Sequence, residues 1–209
     1  MEGGNLKEKG WGNGIPVGMS GYCLMMLLLG MTNLGYLEPS NPLFLTIAGI
    51  AIFGALFTGG MITLKNGNTL DGALLVTFSF MFVLGPTLVI GATVLGWIEL
   101  PKVIFACWNL LLAAFIVIWS IPLLRAPFFA WLLTPLMFIP LVLDALALLL
   151  GMSVFTIVAG WFWLVPAVAW GLYAMLVHLS AEVGIVIPLG KPLMGVAKSN
   201  VNKKMNGVM

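Results

Sequence analysis

Apolar residues fall into six long runs, Pro16–Leu37, Pro42–Leu64, Gly72–Trp97, Val103–Leu124, Phe128–Leu150 and Phe155–Leu179, parted by short polar connections. Each is long enough, at about 20 residues or more, to cross a ~30 Å hydrocarbon core as a helix. None alternates polar with apolar, as a membrane strand would over about 10 residues. The pattern predicts an all-α polytopic membrane protein with six transmembrane helices. Composition agrees: 61% of residues are apolar and 8% charged, where a water-soluble domain carries about 25% charge.

Charge then gives the direction. Lys7, Lys9, Lys65, Arg125, Lys191, Lys198, Lys203 and Lys204 fall on one side of a six-span arrangement, and Lys102 falls on the other. Basic residues are retained in the cytoplasm, so the N- and C-termini are expected to be cytoplasmic. An even number of spans follows from the same asymmetry, because a seventh would carry the tail lysines outside. The expected organisation is a cytoplasmic N-terminal segment (1–15), a six-helix bundle (16–180) and a cytoplasmic tail (181–209) too short for a core of its own. The first span has no small-residue cleavage site after it and is expected to be retained. Trp97, Trp119, Trp131, Trp161 and Trp163 fall near the ends of predicted spans, the headgroup level that amphipathic rings favour. The expected location is the cell membrane, inner or plasma, with lipid as the surrounding partner.

Candidate chemistry is sparse. Cys23 and Cys107 lie inside predicted spans, read as small apolar filler, and give neither a disulfide framework nor metal spacing. His178, the single histidine, is expected near the cytoplasmic end of the sixth span, one turn from Glu182. No phosphate loop, dinucleotide fingerprint or nucleophile elbow is present. An enzyme, a cofactor, a metal site and a nucleic-acid partner are therefore not expected. Asp144 is the one acidic residue well inside a span, ~25 Å along the fifth helix and in its outer half. A carboxyl there must face protein or water, and it is a candidate proton carrier. Gly85-Pro86, Pro135, Pro140 and Pro166 are expected to kink their helices. Gly49, Gly54, Gly59 and Gly60 in the second span allow close helix approach, within a bundle or between subunits.

Asn13-Gly14-Ile15-Pro16-Val17-Gly18-Met19 and the later Asn33-Leu34-Gly35-Tyr36 resemble the first-helix signature of the acetate uptake transporter family. Lys65-Asn66-Gly67-Asn68-Thr69 after the Gly-rich Phe53–Gly60, Ala159-Gly160-Trp161, and Val186-Ile187-Pro188-Leu189-Gly190 resemble further motifs of that family, in order, over about residues 12–190. The resemblance implies a six-helix fold assembled as a homohexamer, with a pore in each subunit. It also implies transport of acetate or another short carboxylate, as an anion channel or as a proton symporter. By motif offset it places a constriction at Tyr22, Phe78 and either Leu133 or Thr134. Asn13 maps onto the family's substrate-facing asparagine, and Asn33 and Thr69 are expected as neutral donors at the mouths. The chain departs from the family at Gly14, where the signature has proline, at Asp71, and at Asp144, which has no counterpart. An Ile187-Pro188-Leu189-Gly190-Lys191 stretch is also shared with urea-type amide channels, so a channel for urea or a short aliphatic amide is the alternative.

Overall fold

The computed structural model describes residues 12–37 and 42–194. Among them are six helices long and apolar enough to span a membrane: α1 (Ile15–Asn33), α2 (Pro42–Lys65), α3 (Thr69–Val94), α4 (Lys102–Leu123), α5 (Phe128–Leu150) and α6 (Ser153–Glu182). The chain is a multi-pass, all-α membrane protein. Lys7, Lys9, Lys198, Lys203 and Lys204, and with them most of both expected terminal segments, lie outside the described residues.

Span ends are set by local chemistry that a hydropathy pattern does not resolve. α1 stops at Asn33, four residues before its apolar run ends. Gly35 turns left-handed at φ 76° there, and the Gly35 and Tyr36 amides donate to the Thr32 and Met31 carbonyls. That is a glycine C-cap. α3 starts three residues before its apolar run, because the Asn68 carboxamide oxygen accepts from the Asp71 amide and its nitrogen donates to the Asp71 carboxylate. This reciprocal pairing is the logic of a capping box.

Each proline that interrupts a helix does so by removing a donor. Pro86 offers no N–H to the Phe82 carbonyl, and residues Ser79–Leu84 widen into a π turn in which the Gly85 amide reaches Phe80. The Met81 carbonyl then accepts from the Trp108 indole N–H at 2.7 Å, so that carbonyl is not left bare in hydrocarbon. Pro166 lies in a second π turn, Trp163–Ala167. Pro135 leaves the Trp131 carbonyl without its usual donor, and α5 is offset there into Phe128–Trp131 and Leu133–Leu150. Pro140, by contrast, is fully buried inside continuous helix.

α1 is the central post. It packs against α2 on one side and α6 on the other; α2 also packs on α3, α4 on α5, and α5 on α6. Gly14 and Gly18 of α1 meet Gly59 of α2 backbone to backbone, and Gly60 meets Val76 and Leu75 of α3. Gly49, Gly59 and Gly60 therefore serve packing within one chain. Gly54 faces open space. Cys107 is also exposed, on the outer side of α4, which corrects the expectation that both thiols are buried. α4 presents Val103, Ile104, Leu111, Ile118 and Ile121 outward, as a lipid-facing helix does.

The glycine contacts make a paired prediction. Gly59→Val drives a side chain into the α1 backbone and should destabilise the detergent-solubilised protein by about 1–3 kcal/mol. Gly54→Val should cost much less. Thermal or denaturant unfolding of the two variants checks this, and equal losses would contradict the packing.

Candidate functional site: two cavities and an aromatic neck

Two cavities lie toward opposite ends of the bundle. One, of about 300 Å³, is at the end that carries residue 12 and residue 194, and its lining includes Met19, Leu75, Leu133, Trp170 and His178. The other, of about 380 Å³, is lined by Met25, Phe82, Leu141, Asp144 and Trp163 among others. Five helices contribute to both, and in each the lining residues bracket a buried stretch, the longest being that between Asn109 and Trp119 on α4. On α1 Met19 lines the first cavity and Met25 the second, with Tyr22 buried between. On α3 the sequence is Leu75, then buried Phe78, then Phe82. On α5 it is Leu133, then buried Met137, then Leu141; on α6, Trp170, then buried Ala167, then Trp163. On α1, α3, α5 and α6 the flanking residues lie six to eight positions apart, so the cavities are separated by about two helical turns of packed side chains, roughly 9–12 Å along the helices.

The intervening layer is aromatic and sulfur-rich. Tyr22 stands edge-on to Trp170 with centroids 5.6 Å apart. Phe78 meets Phe82 at 5.8 Å, and Phe82 meets Trp163 at 5.7 Å. Met26, Met137 and Trp163 are fully buried. Phe82 and Trp163 both belong to π turns, so the two widened turns bring their aromatic rings to the same place. Gly171 allows Tyr22 to lie against α6, since a Cβ there would meet the Tyr22 ring. The hydroxyls of Tyr22 and Thr134 are buried with no hydrogen-bond partner among the described residues.

Asp144 has partners that the sequence did not suggest. Its carboxyl accepts from the Asn33 carboxamide at 2.8 Å and from the Trp163 indole N–H at 2.9 Å, one donor on each oxygen. Gly160 makes room for Asn33, because a Cβ there would press on it. All three groups line the larger cavity. Trp163 therefore does not sit at headgroup level as expected; it is fully buried, about 15 Å into α6, and orients a carboxyl. Its sequence signal was present only as a tryptophan next to Pro166, and a tryptophan near an apolar run reads equally well as a membrane-interface ring.

The remaining sequence candidates are dispersed. Tyr22 and Phe78 are buried between the cavities, and Leu133 lines the smaller one. Asn13 lines neither; its side-chain oxygen accepts from the Ile15 amide at 3.0 Å and so orders the start of α1. Thr69 is exposed at the start of α3 and also lines neither, although the next residues, Leu70 and Asp71, line the smaller cavity. His178 shares that cavity with Asp71.

The mouth of the smaller cavity is crossed by the chain after α6. The Phe129 amide donates to the Leu189 carbonyl, the Met194 amide to the Leu124 carbonyl, and the Tyr173 hydroxyl to the Pro188 carbonyl. Leu189 lines the cavity. Phe129 in turn stacks on Trp170 at 5.3 Å.

Trp163→Phe removes a donor from a buried carboxyl and should cost about 1–3 kcal/mol of stability. In an Asp144→Leu background the same change should cost much less, since the partner is gone. A double-mutant cycle by denaturant unfolding measures the difference; additive effects would show that the hydrogen bond carries no energy.

Compared with known proteins, the chain matches no family model, and no curated protein sequence matches it. Its fold is similar to that of the bacterial acetate channel SatP, with a TM-score of 0.75 at 19% sequence identity, over 90% of this chain and 99% of that one. At that identity the likeness shows the fold, and the fold is the one that the sequence resemblance implies.

Proposed function

We propose that the chain carries acetate or another short-chain carboxylate across the cell membrane, along a path from the smaller cavity through the aromatic neck to the larger one. The observation behind this reading is the repeated arrangement on α1, α3, α5 and α6, in which each helix lines both cavities around a short buried stretch. Such a path suits a solute with a methyl face and one polar end. An apolar neck accepts the methyl group, and a few neutral donors orient the polar end without trapping it. The buried hydroxyls of Tyr22 and Thr134 are such donors, and among the described residues no lysine or arginine lines either cavity. The likeness to an acetate channel supports the same reading. In it, each subunit of a homohexamer has its own path, the smaller cavity opens to the cytoplasm and the larger one outward. Transport runs as an anion channel or as proton-coupled transport.

A second reading, a channel for urea or a short aliphatic amide, draws on Asp144. A carboxyl facing a cavity is an acceptor for N–H donors.

Reconstitution in liposomes separates the two. Labelled acetate uptake above protein-free liposomes is expected, with little urea uptake. Phe78→Ala removes one wall of the neck and should raise the acetate rate several-fold. Urea uptake without acetate uptake would overturn the carboxylate reading.

A further inference from the structure

The larger cavity poses a problem for an anion. It presents a carboxyl, Asp144, whose two oxygens are each held by a neutral N–H donor. Neutral donors orient an ionised carboxylate but do not cancel its charge. The other polar groups on the wall are neutral: Thr32, Thr46, Thr87, Asn109 and Thr156. Asp144 is the one titratable side chain among the described lining residues. Around Asp144, α1 contributes Asn33 and α6 contributes Trp163, while α4, which packs on α5, lines the cavity with Phe105 and Asn109; none of these side chains titrates in the range of interest. Tyr22 and Cys23 of α1, Cys107 and Lys102 of α4, and Tyr173, His178 and Glu182 of α6 do not line this cavity, and nor does Glu99. Two like charges about 5 Å apart, at an effective dielectric of about 20, disfavour a free carboxylate there by roughly a hundredfold.

We propose that the larger cavity is a binding site for the acid form of the solute, in which Asp144 and the solute carboxyl share one proton. Two carboxyl groups at hydrogen-bond distance hold one proton between them more readily than two or none. Asn33 and Trp163 supply the geometry. Each donates to a different Asp144 oxygen, which leaves the outer lone pairs of the carboxyl for the solute O–H. The solute's carbonyl oxygen can then accept from a neutral amide of the wall, and Asn109 lines the same cavity. The charge balance is simple. Ionised Asp144 plus the neutral acid gives a complex with a single negative charge, the same as the unloaded site. No covalent bond forms or breaks. The unit that passes is the carboxylate with one proton, and its passage moves no net charge. This inference rests on the carboxylate reading above and decides between its two modes. Asn33 and Trp163 are positioning residues in it, and Asp144 is the binding residue.

The test is uptake of labelled acetate into proteoliposomes at fixed total acetate, from pH 5 to pH 8, with and without an imposed potential. Protein-free liposomes are subtracted at each pH, because acetic acid itself crosses lipid. Uptake by the unaltered protein should fall close to tenfold per pH unit once acetate is mostly ionised, and should ignore the potential. Asp144→Asn removes the charge with little change of shape. It should make uptake respond to the potential and flatten the pH profile at least fivefold. A pH-sensitive dye inside vesicles of unaltered protein gives a second reading that does not depend on the variant folding: one proton should enter per acetate. Potential-driven uptake by the unaltered protein, an unchanged pH profile in Asp144→Asn, or acetate entry without protons would each overturn the inference while leaving the carboxylate reading intact. No acetate uptake above bare lipid would overturn that reading and the inference with it.

Discussion

The close approach of α1 to its neighbours is the constraint on which the rest depends. A helix that must touch α2 and α6 without an apolar driving force gains its contacts by letting backbones come together. Gly14 and Gly18 against Gly59 set α1 on α2, while Gly171 and Gly160 admit Tyr22 and Asn33 to the face of α6. Those last two contacts matter beyond packing. Tyr22 is fixed between the cavities because Gly171 yields space for its ring, and Asn33 reaches Asp144 because Gly160 offers no side chain. A residue type usually described as permissive therefore determines where the two polar features of α1 lie.

Lipid as solvent governs the second layer. A backbone carbonyl left bare in hydrocarbon is costly, and the Pro86 interruption is coupled to a compensating group. The π turn before Pro86 uses the Trp108 indole for this purpose. Its counterpart around Pro166 brings Trp163 inward, onto Phe82 and Asp144. π turns recur at functional sites because the extra residue redirects side chains that a regular helix would aim elsewhere. Here the redirected pair, Phe82 and Trp163, closes the inner wall of the larger cavity.

Spans, their number and the positions of helix interruptions were legible because they follow from length, hydropathy and proline chemistry, each a local property. Gly85-Pro86 and Pro166 marked the two widened turns. The helix ends were less legible, since the Asn68 cap and the Gly35 turn act through single hydrogen bonds. The site was legible only in part. Tyr22 and Phe78 came from motif offset, but Trp163 did not: its indole is explained by Asp144, nineteen positions away on another helix. Asn33 looked like a mouth residue because its own helix ends there, yet its amide is directed inward at a carboxyl 111 positions on. Asn13 illustrates the reverse case, where a motif residue satisfies the local backbone of a helix start.

The two ends of the path differ in kind, and the difference follows from what holds each neck residue. At the larger cavity the neck is tied to polar chemistry, through Trp163 on Asp144 and Asp144 on Asn33. At the smaller cavity it is tied to the chain after α6: Leu189 holds the Phe129 amide, Phe129 stacks on Trp170, and Trp170 stands against Tyr22. The Trp170 indole N–H also donates to the Phe129 carbonyl at 2.9 Å, so that pair is fixed in both distance and tilt. Tyr22 is thus the ring on which the positioning of α1, α5, α6 and the following segment converges. Its hydroxyl, like that of Thr134 and the indole N–H of Trp119, finds no hydrogen-bond partner among the described residues. A buried hydroxyl of this kind costs stability. The fold tolerates that cost at the place where the two cavities come closest, and in the proposed carboxylate path a passing solute is the partner that offsets it.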